Sequence, residues 1–99
     1  MKLKQLLMNE GKNIVSMIIE SKEMTYSSSN ISKIDLIPVE VGNYTLVLNE
    51  IVFDFTDEEA EKDGNLKNGV YYFDLGKAKI EVVLSDMIPI KDTYILSTN

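Results

Sequence analysis

Apolar and polar residues alternate along most of this chain, and a period of two is the pattern of a half-buried β-strand. The clearest case is residues 70–84, where alternating positions lie on both sides of Gly76 and Lys77. A glycine-containing turn between two alternating runs is typical of a β-hairpin. We therefore expect residues 70–75 and 80–84 to form two paired antiparallel strands.

A second alternating region, residues 31–48, is divided by Gly42 and Asn43 and predicts another hairpin. Pro38 lies in its first arm, and a proline donates no hydrogen bond to a neighbouring strand. That arm is therefore expected to be an edge strand or to contain a bulge. The alternation changes phase at residues 49 and 50 before the apolar run 51–55, so either a bulge or a turn lies there.

The N-terminal region is less regular. Residues 2–10 place leucines at helical spacing and are followed by Gly11, which predicts a short helix of two turns. Residues 13–26 are rich in β-branched side chains and favour a strand, with a continuation of the helix as the alternative. Residues 27–30 are polar and predict a break, and residues 93–96 predict a final short strand.

Together these elements predict a mainly β fold with one short N-terminal helix. Five to seven closely spaced strands favour a small antiparallel sandwich or a partly open barrel. With 99 residues, the chain is expected to form one domain spanning 1–99. Neither a cleavable leader nor an apolar stretch of membrane-spanning length is recognisable, so we expect no membrane association and a cytoplasmic location.

Composition excludes several chemistries. The sequence contains no cysteine and no histidine, so neither a Ser-His-Asp triad nor the common zinc sites can be built from it. Its five glycines show no phosphate-binding spacing. The ten basic residues are all lysines without a cluster, which argues against direct binding of nucleic acid. The sequence therefore predicts a protein that is not an enzyme, with no catalytic residues, no metal site and no cofactor.

Negative charge is concentrated between two aromatic strands. Residues 54–63 contain six carboxylates and one lysine, so their net charge is −5, out of −6 for the whole chain. Such a local excess favours a basic partner surface. We call these residues the acidic segment: Asp54, Asp57, Glu58, Glu59, Glu61, Lys62 and Asp63.

Three interpretations of the acidic segment follow. Thr56 and Glu59 have the spacing of a capping box, so a short helix over residues 57–62 accounts for most of the acids. A calcium loop is disfavoured because Val70 stands where an EF-hand places its bidentate glutamate. The third interpretation is a docking surface for a basic protein, with Tyr71 or Tyr72 exposed behind the acids.

The docking interpretation is our leading functional hypothesis. In size and charge alone, the chain resembles small acidic phage and mobile-element inhibitors that occupy nucleic-acid-binding sites. The resemblance implies a basic partner protein, such as one that binds nucleic acid. The alternative is a structural subunit that forms homo-oligomers through edge strands, near Pro38 or at the C-terminal strand.

Overall fold

The computed structural model describes residues 1–85, and within them the predicted mainly β fold with one short N-terminal helix is confirmed. Eight strands are present there, one more than the upper end of the prediction, whereas the strand predicted at residues 93–96 lies outside the described residues. The elements in chain order are α1 (Leu3–Asn9), a 3-10 turn (Gly11–Asn13), β1 (Ile14–Ser21), β2 (Thr25–Ser28), β3 (Ile34–Glu40), β4 (Asn43–Leu48), β5 (Ile51–Thr56), α2 (Asp57–Ala60), β6 (Asn65–Lys67), β7 (Val70–Asp74) and β8 (Ala78–Leu84).

The strands form two antiparallel sheets that do not close into a barrel. The larger sheet has five strands in the order β2-β1-β8-β7-β6, and the smaller has three in the order β3-β4-β5. Consecutive strands pair through tight turns in most cases, as expected for hairpins. The exception within the larger sheet is β1, which also pairs with β8, the last described strand.

One hydrophobic core serves both sheets and the helix. Alternate residues of most strands point inward, although β6 is exposed throughout. The leucines of α1 join them, as the helical spacing predicted. Burying one side chain of the size of leucine stabilises the folded state by roughly 1.5–3 kcal/mol. The helix, too short to be stable alone, is thus held by packing. Its leucines and the most deeply buried strand residues are Leu3, Leu6, Leu7, Met17, Ile19, Leu46, Leu48, Phe55, Phe73, Ile80 and Val82.

The strand predicted over residues 13–26 is a hairpin. The chain turns at residues 22–24, where the Ser21 backbone N–H donates to the Met24 carbonyl at 2.8 Å. Ser27 and Ser28, expected to form a break, instead pair with Ile18 and Met17 in β2. The prediction failed because serine hydroxyls suit turns by local bonding, but here the pairing along β1 outweighs that preference.

Pro38 lies on an edge strand that also contains a bulge, as predicted. Because the Asn49 N–H donates to the Lys33 carbonyl at 2.8 Å, the backbone of Lys33 faces β4. Backbone groups alternate in direction along an antiparallel strand, so Pro38 faces away from β4. Its missing N–H therefore removes no bond from the sheet.

The phase change at residues 49 and 50 is a turn. Asn49 adopts a φ of 53°, in the left-handed region, and β4 and β5 pair directly across it. Another hairpin, β6–β7, turns at Asn68 and Gly69, whose φ values are 54° and 81°. This Asn-Gly pair is among the strongest hairpin signals in a sequence. The sequence prediction assigned no strand to residues 64–69 and therefore did not include this hairpin.

Candidate functional site

The acidic segment begins on β5 and continues through α2. The predicted capping box is present: the Thr56 hydroxyl accepts from the Glu59 N–H at 3.2 Å, and Glu59 Oε1 accepts from the Thr56 N–H at 2.8 Å. Asp57 and Glu58 occupy the first turn, where the helix dipole favours negative charge. The helix is one turn long, shorter than the predicted 57–62.

Glu61 is paired with two lysines of the N-terminal region. Lys2 Nζ lies 2.6 Å from Glu61 Oε1, and Lys4 contacts the other carboxylate oxygen. Hydrogen bonds from these two ammonium groups lower the pKa of Glu61 below its usual value, and the same contacts raise the pKa of Lys2 and of Lys4. Backbone contacts reinforce the pairing, because the Leu3 N–H donates to the Lys62 carbonyl at 2.9 Å.

Glu59 is paired with Lys77, which lies in the β7–β8 turn of the larger sheet. The two charged groups are 3.1 Å apart, and the Glu59 side chain is only 15% exposed. Partial burial raises the pKa of Glu59, but the hydrogen bond from the Thr56 backbone and the contact with Lys77 together lower it below its usual value. The pair therefore links α2 to the larger sheet.

The remaining four acids have weaker partners. The Asp54 carboxylate accepts from the Thr45 hydroxyl at 2.9 Å on the outer face of the smaller sheet. Asp63 is mostly exposed, and its carboxylate lies 4.0 Å from the amino group of Met1. Within residues 1–85, Asp57 and Glu58 form no salt bridge. The six carboxylates thus do not form one unpaired cluster, because lysines distant in sequence pair with two of them.

The two tyrosines predicted behind the acids point to opposite faces of β7. Tyr72 is 39% exposed, whereas Tyr71 is only 9% exposed and stacks on Phe73 with the ring centroids 6.4 Å apart. Of the two tyrosines named as alternatives, Tyr72 is therefore the exposed one. Tyr71 is wrong as a partner-binding residue, because its position in the alternation faces the core. Tyr72 lies on the outer face of the larger sheet, whereas Asp54 lies on the outer face of the smaller one.

Two other candidate chemistries lack the necessary geometry. Acid–base chemistry by two carboxylates would need them on neighbouring strands, but Asp54 on β5 and Asp74 on β7 belong to different sheets. The Asp74 carboxylate instead accepts from the Gly76 N–H at 2.9 Å and stabilises a turn. In the part of the chain that the structure describes, no three acidic side chains are grouped to hold a metal ion.

The smaller sheet has an exposed apolar surface that was not predicted from the sequence. Val52 is 62% exposed and Val39 is 57% exposed, although exposed strand positions are usually polar. The signal was present in the sequence, because apolar residues occupy both faces of β3. We call this surface the apolar face; it consists of Ile37 and Val39 of β3 and Val52 of β5, together with Val41 in the turn that follows β3.

Carboxylates border the apolar face. Asp35 lies opposite Val47, which in turn pairs with Val52, and Asp54 lies in the neighbouring row. Asp57 is beside the β3–β4 turn, because its N–H donates to the Gly42 carbonyl at 2.7 Å. The apolar face therefore has an acidic border, part of which belongs to the acidic segment.

The chain matches no known protein-family model, no curated protein and no solved structure. Among the described residues, no helix reaches the length and apolarity needed to cross a membrane.

Proposed function

We propose that this protein is a non-enzymatic binding protein that docks the apolar face of its smaller sheet on a partner protein. The partner surface would be apolar at its centre and carry lysine or arginine at its border. The exposure of Val39 and Val52 on one sheet is the observation that carries the proposal. Contiguous exposed apolar side chains with a polar border are characteristic of interaction surfaces.

Charge favours a basic partner over a second copy of the chain. Asp35, Asp54 and Asp57 are exposed and form no salt bridge within residues 1–85. Two such faces brought together would oppose like charges, which is unfavourable, whereas a basic border would complement them. The proposal therefore keeps Asp54, Asp57 and Glu58 as partner-binding residues. Glu59 and Glu61 are left out of the partner-binding set, since their charges are already paired with lysines.

Mimicry of nucleic acid is not part of this proposal. Such mimicry would need a dense row of unpaired anions, and the pairing of Glu59 and Glu61 with lysines lowers the density of free negative charge. A nucleic-acid-binding protein is still one class of partner that presents basic residues beside apolar ones. An inhibitor of such a protein would be one form of the proposed function.

Site-specific photo-cross-linking in cells that express the chain tests the proposal. A benzoyl-phenylalanine at Val39 should form an adduct with a partner protein, and the same residue at Lys79 should not. Lys79 is a matched control because it is exposed on the outer face of the larger sheet. An adduct formed equally from both positions, or from neither, would contradict the proposal.

Binding measurements with the purified partner give the second test. The double substitution Val39→Asp and Val52→Asp should weaken binding by at least about tenfold, since buried apolar contacts dominate interface energies. Asp54→Asn with Asp57→Asn should slow association and reduce its salt dependence. A partner whose affinity is unaffected by both double variants binds elsewhere.

A further inference from the structure

We infer that the Lys77–Glu59 ion pair closes the free edge of β5 and prevents this strand from pairing with β5 of a second copy of the chain. β5 is the outermost strand of the smaller sheet. Its sequence Ile51–Thr56 is rich in β-branched and aromatic residues and contains no proline. A regular edge strand of this kind readily adds another strand unless something blocks it.

The direction of the backbone shows which groups of β5 are free. The Asn49 N–H donates to the Lys33 carbonyl of the β3 side, so in β4 the odd-numbered residues face β3. The even-numbered residues of β4 then face β5, and their partners there are Ile51, Phe53 and Phe55. The backbone groups of Val52, Asp54 and Thr56 consequently point out from the sheet edge.

Two of these outward groups are occupied by the ion pair. Lys77 Nζ donates to the backbone carbonyl of Asp54, and Glu59 Oε1 accepts from the backbone N–H of Thr56 at 2.8 Å. The ammonium and the carboxylate are themselves 3.1 Å apart. A strand added to β5 would have to displace both side chains, because they satisfy the hydrogen bonds that its backbone would use.

Lys77 is held across the β5 edge by its turn and by neighbouring rings. Gly76, with a φ of 85°, and the hydrogen bond from its N–H to Asp74 shape the β7–β8 turn. From that turn the Lys77 ammonium reaches to 5.3 Å from the Phe53 ring centroid and 5.7 Å from that of Phe55. Cation–π contacts of this length are favourable and fix the side chain over the edge.

The other edge strands of the described chain are protected in different ways. β3 contains Pro38, whose missing N–H faces outward, and a bulge that follows it. β2 and β6 are short, with four and three residues. β5 therefore depends on the ion pair, and a second copy is the natural occupant because antiparallel edges are self-complementary across a two-fold axis.

Multi-angle light scattering on the purified full chain, over a range of protein concentrations, tests this inference. Lys77→Met keeps the aliphatic stem but removes the charge, and its average mass should rise to about twice that of the wild type as concentration increases. Lys79→Met is the control and should match the wild type. Circular dichroism confirms that each variant is folded, and Lys77→Gln replaces Lys77→Met if that variant is not. A folded Lys77 variant with the wild-type mass at every concentration would overturn the inference.

A second pair of variants shows whether association uses the β5 edge. In the Lys77→Met background, Val52→Pro removes an outward N–H without removing a bond to β4, so it should restore the wild-type mass. Val52→Ser shortens the side chain but keeps that N–H, so it should still associate. If Val52→Ser abolishes association to the same extent as Val52→Pro, then the contact uses the apolar face and the inference fails.

Discussion

The side-chain amide of Asn49 donates a hydrogen bond of 3.1 Å to the hydroxyl of Tyr26 and so connects the β4–β5 turn with β2 of the larger sheet. The same side chain accepts from the N–H groups of Ser32 and Lys33 and donates to the Asn30 carbonyl. The Asn49 side chain thus holds the segment that leads from β2 to β3 against the β4–β5 turn. Its own backbone is in the left-handed region, with a φ of 53°, which asparagine tolerates better than most residues.

Two substitutions of Asn49 separate the contribution of its side-chain hydrogen bonds from that of its left-handed backbone. Asn49→Gly keeps the backbone conformation but loses the side-chain bonds, and should lower the free energy of unfolding by about 2 kcal/mol, since each net hydrogen bond contributes about 1 kcal/mol and several are partly exposed. Asn49→Ala should cost about 1 kcal/mol more because alanine disfavours a positive φ. Urea unfolding measures both. Equal stability of the glycine variant and the wild type would show that the side-chain bonds do not hold the sheets together.

Gly64 lies against the ring of Phe73, and this contact predicts a steric effect. A Cβ at position 64 would lie 2.6 Å from Phe73 Cζ, and that ring is buried among core residues that cannot easily yield. Gly64→Ala should therefore destabilise the protein by about 1–3 kcal/mol. Gly11→Ala is the matched control, because its Cβ would lie 3.4 Å from Ile34 in ordinary contact, and its effect should stay within about 0.5 kcal/mol. Similar melting temperatures for the two variants would contradict the expected clash.

Local sequence signals predicted local structure well here. The Thr56 and Glu59 capping box depends on two residues three positions apart, and it forms as expected. The hairpin around Gly76 likewise needs only its own alternation. Pro38 indicated an edge because a missing N–H is a property of the residue itself.

The partners of the acidic segment were not predictable in the same way. Lys2 and Glu61 are 59 positions apart, and only the folded chain brings them together. Counting charges along the sequence therefore overestimated the free negative charge of the segment. The apolar face had a visible signal in β3, but whether Val39 faces solvent depends on what packs on the sheet, which the sequence does not state.

Ion pairing of Glu61 predicts the pH dependence of stability. Its carboxyl pKa is lowered from the usual 4.5 by Lys2 and Lys4, so the folded state binds this proton more weakly than the unfolded state. The stabilisation is then present above about pH 4.5 and is lost as the pH falls through the lower folded-state value. At the alkaline end, the raised pKa values of Lys2 and Lys4 mean that their contribution is present below pH 10.5 and is lost above it.

Glu61→Gln should flatten the acid side of this profile. Thermal melts from pH 2 to pH 7 should show a smaller loss of melting temperature in the variant than in the wild type. Glu50→Gln is the matched control, because Glu50 is exposed and forms no salt bridge within residues 1–85. If both variants lose the same melting temperature at low pH, the Glu61 ion pair contributes little to stability in solution. Many exposed ion pairs contribute little.

The apolar face can be separated from the core by two identical substitutions. Val52→Ala removes an exposed side chain and should lower the free energy of unfolding by less than about 1 kcal/mol, chiefly through reduced strand propensity. Val82→Ala makes the same change at a fully buried position and should cost about 2 kcal/mol or more, because burial is lost and a cavity remains. Urea unfolding of both variants gives the comparison. A small cost at Val52 would mean that folding does not require a large apolar residue there, as the docking proposal expects. A cost at Val52 equal to that at Val82 would instead make the apolar face part of the folding core and remove the main support for docking.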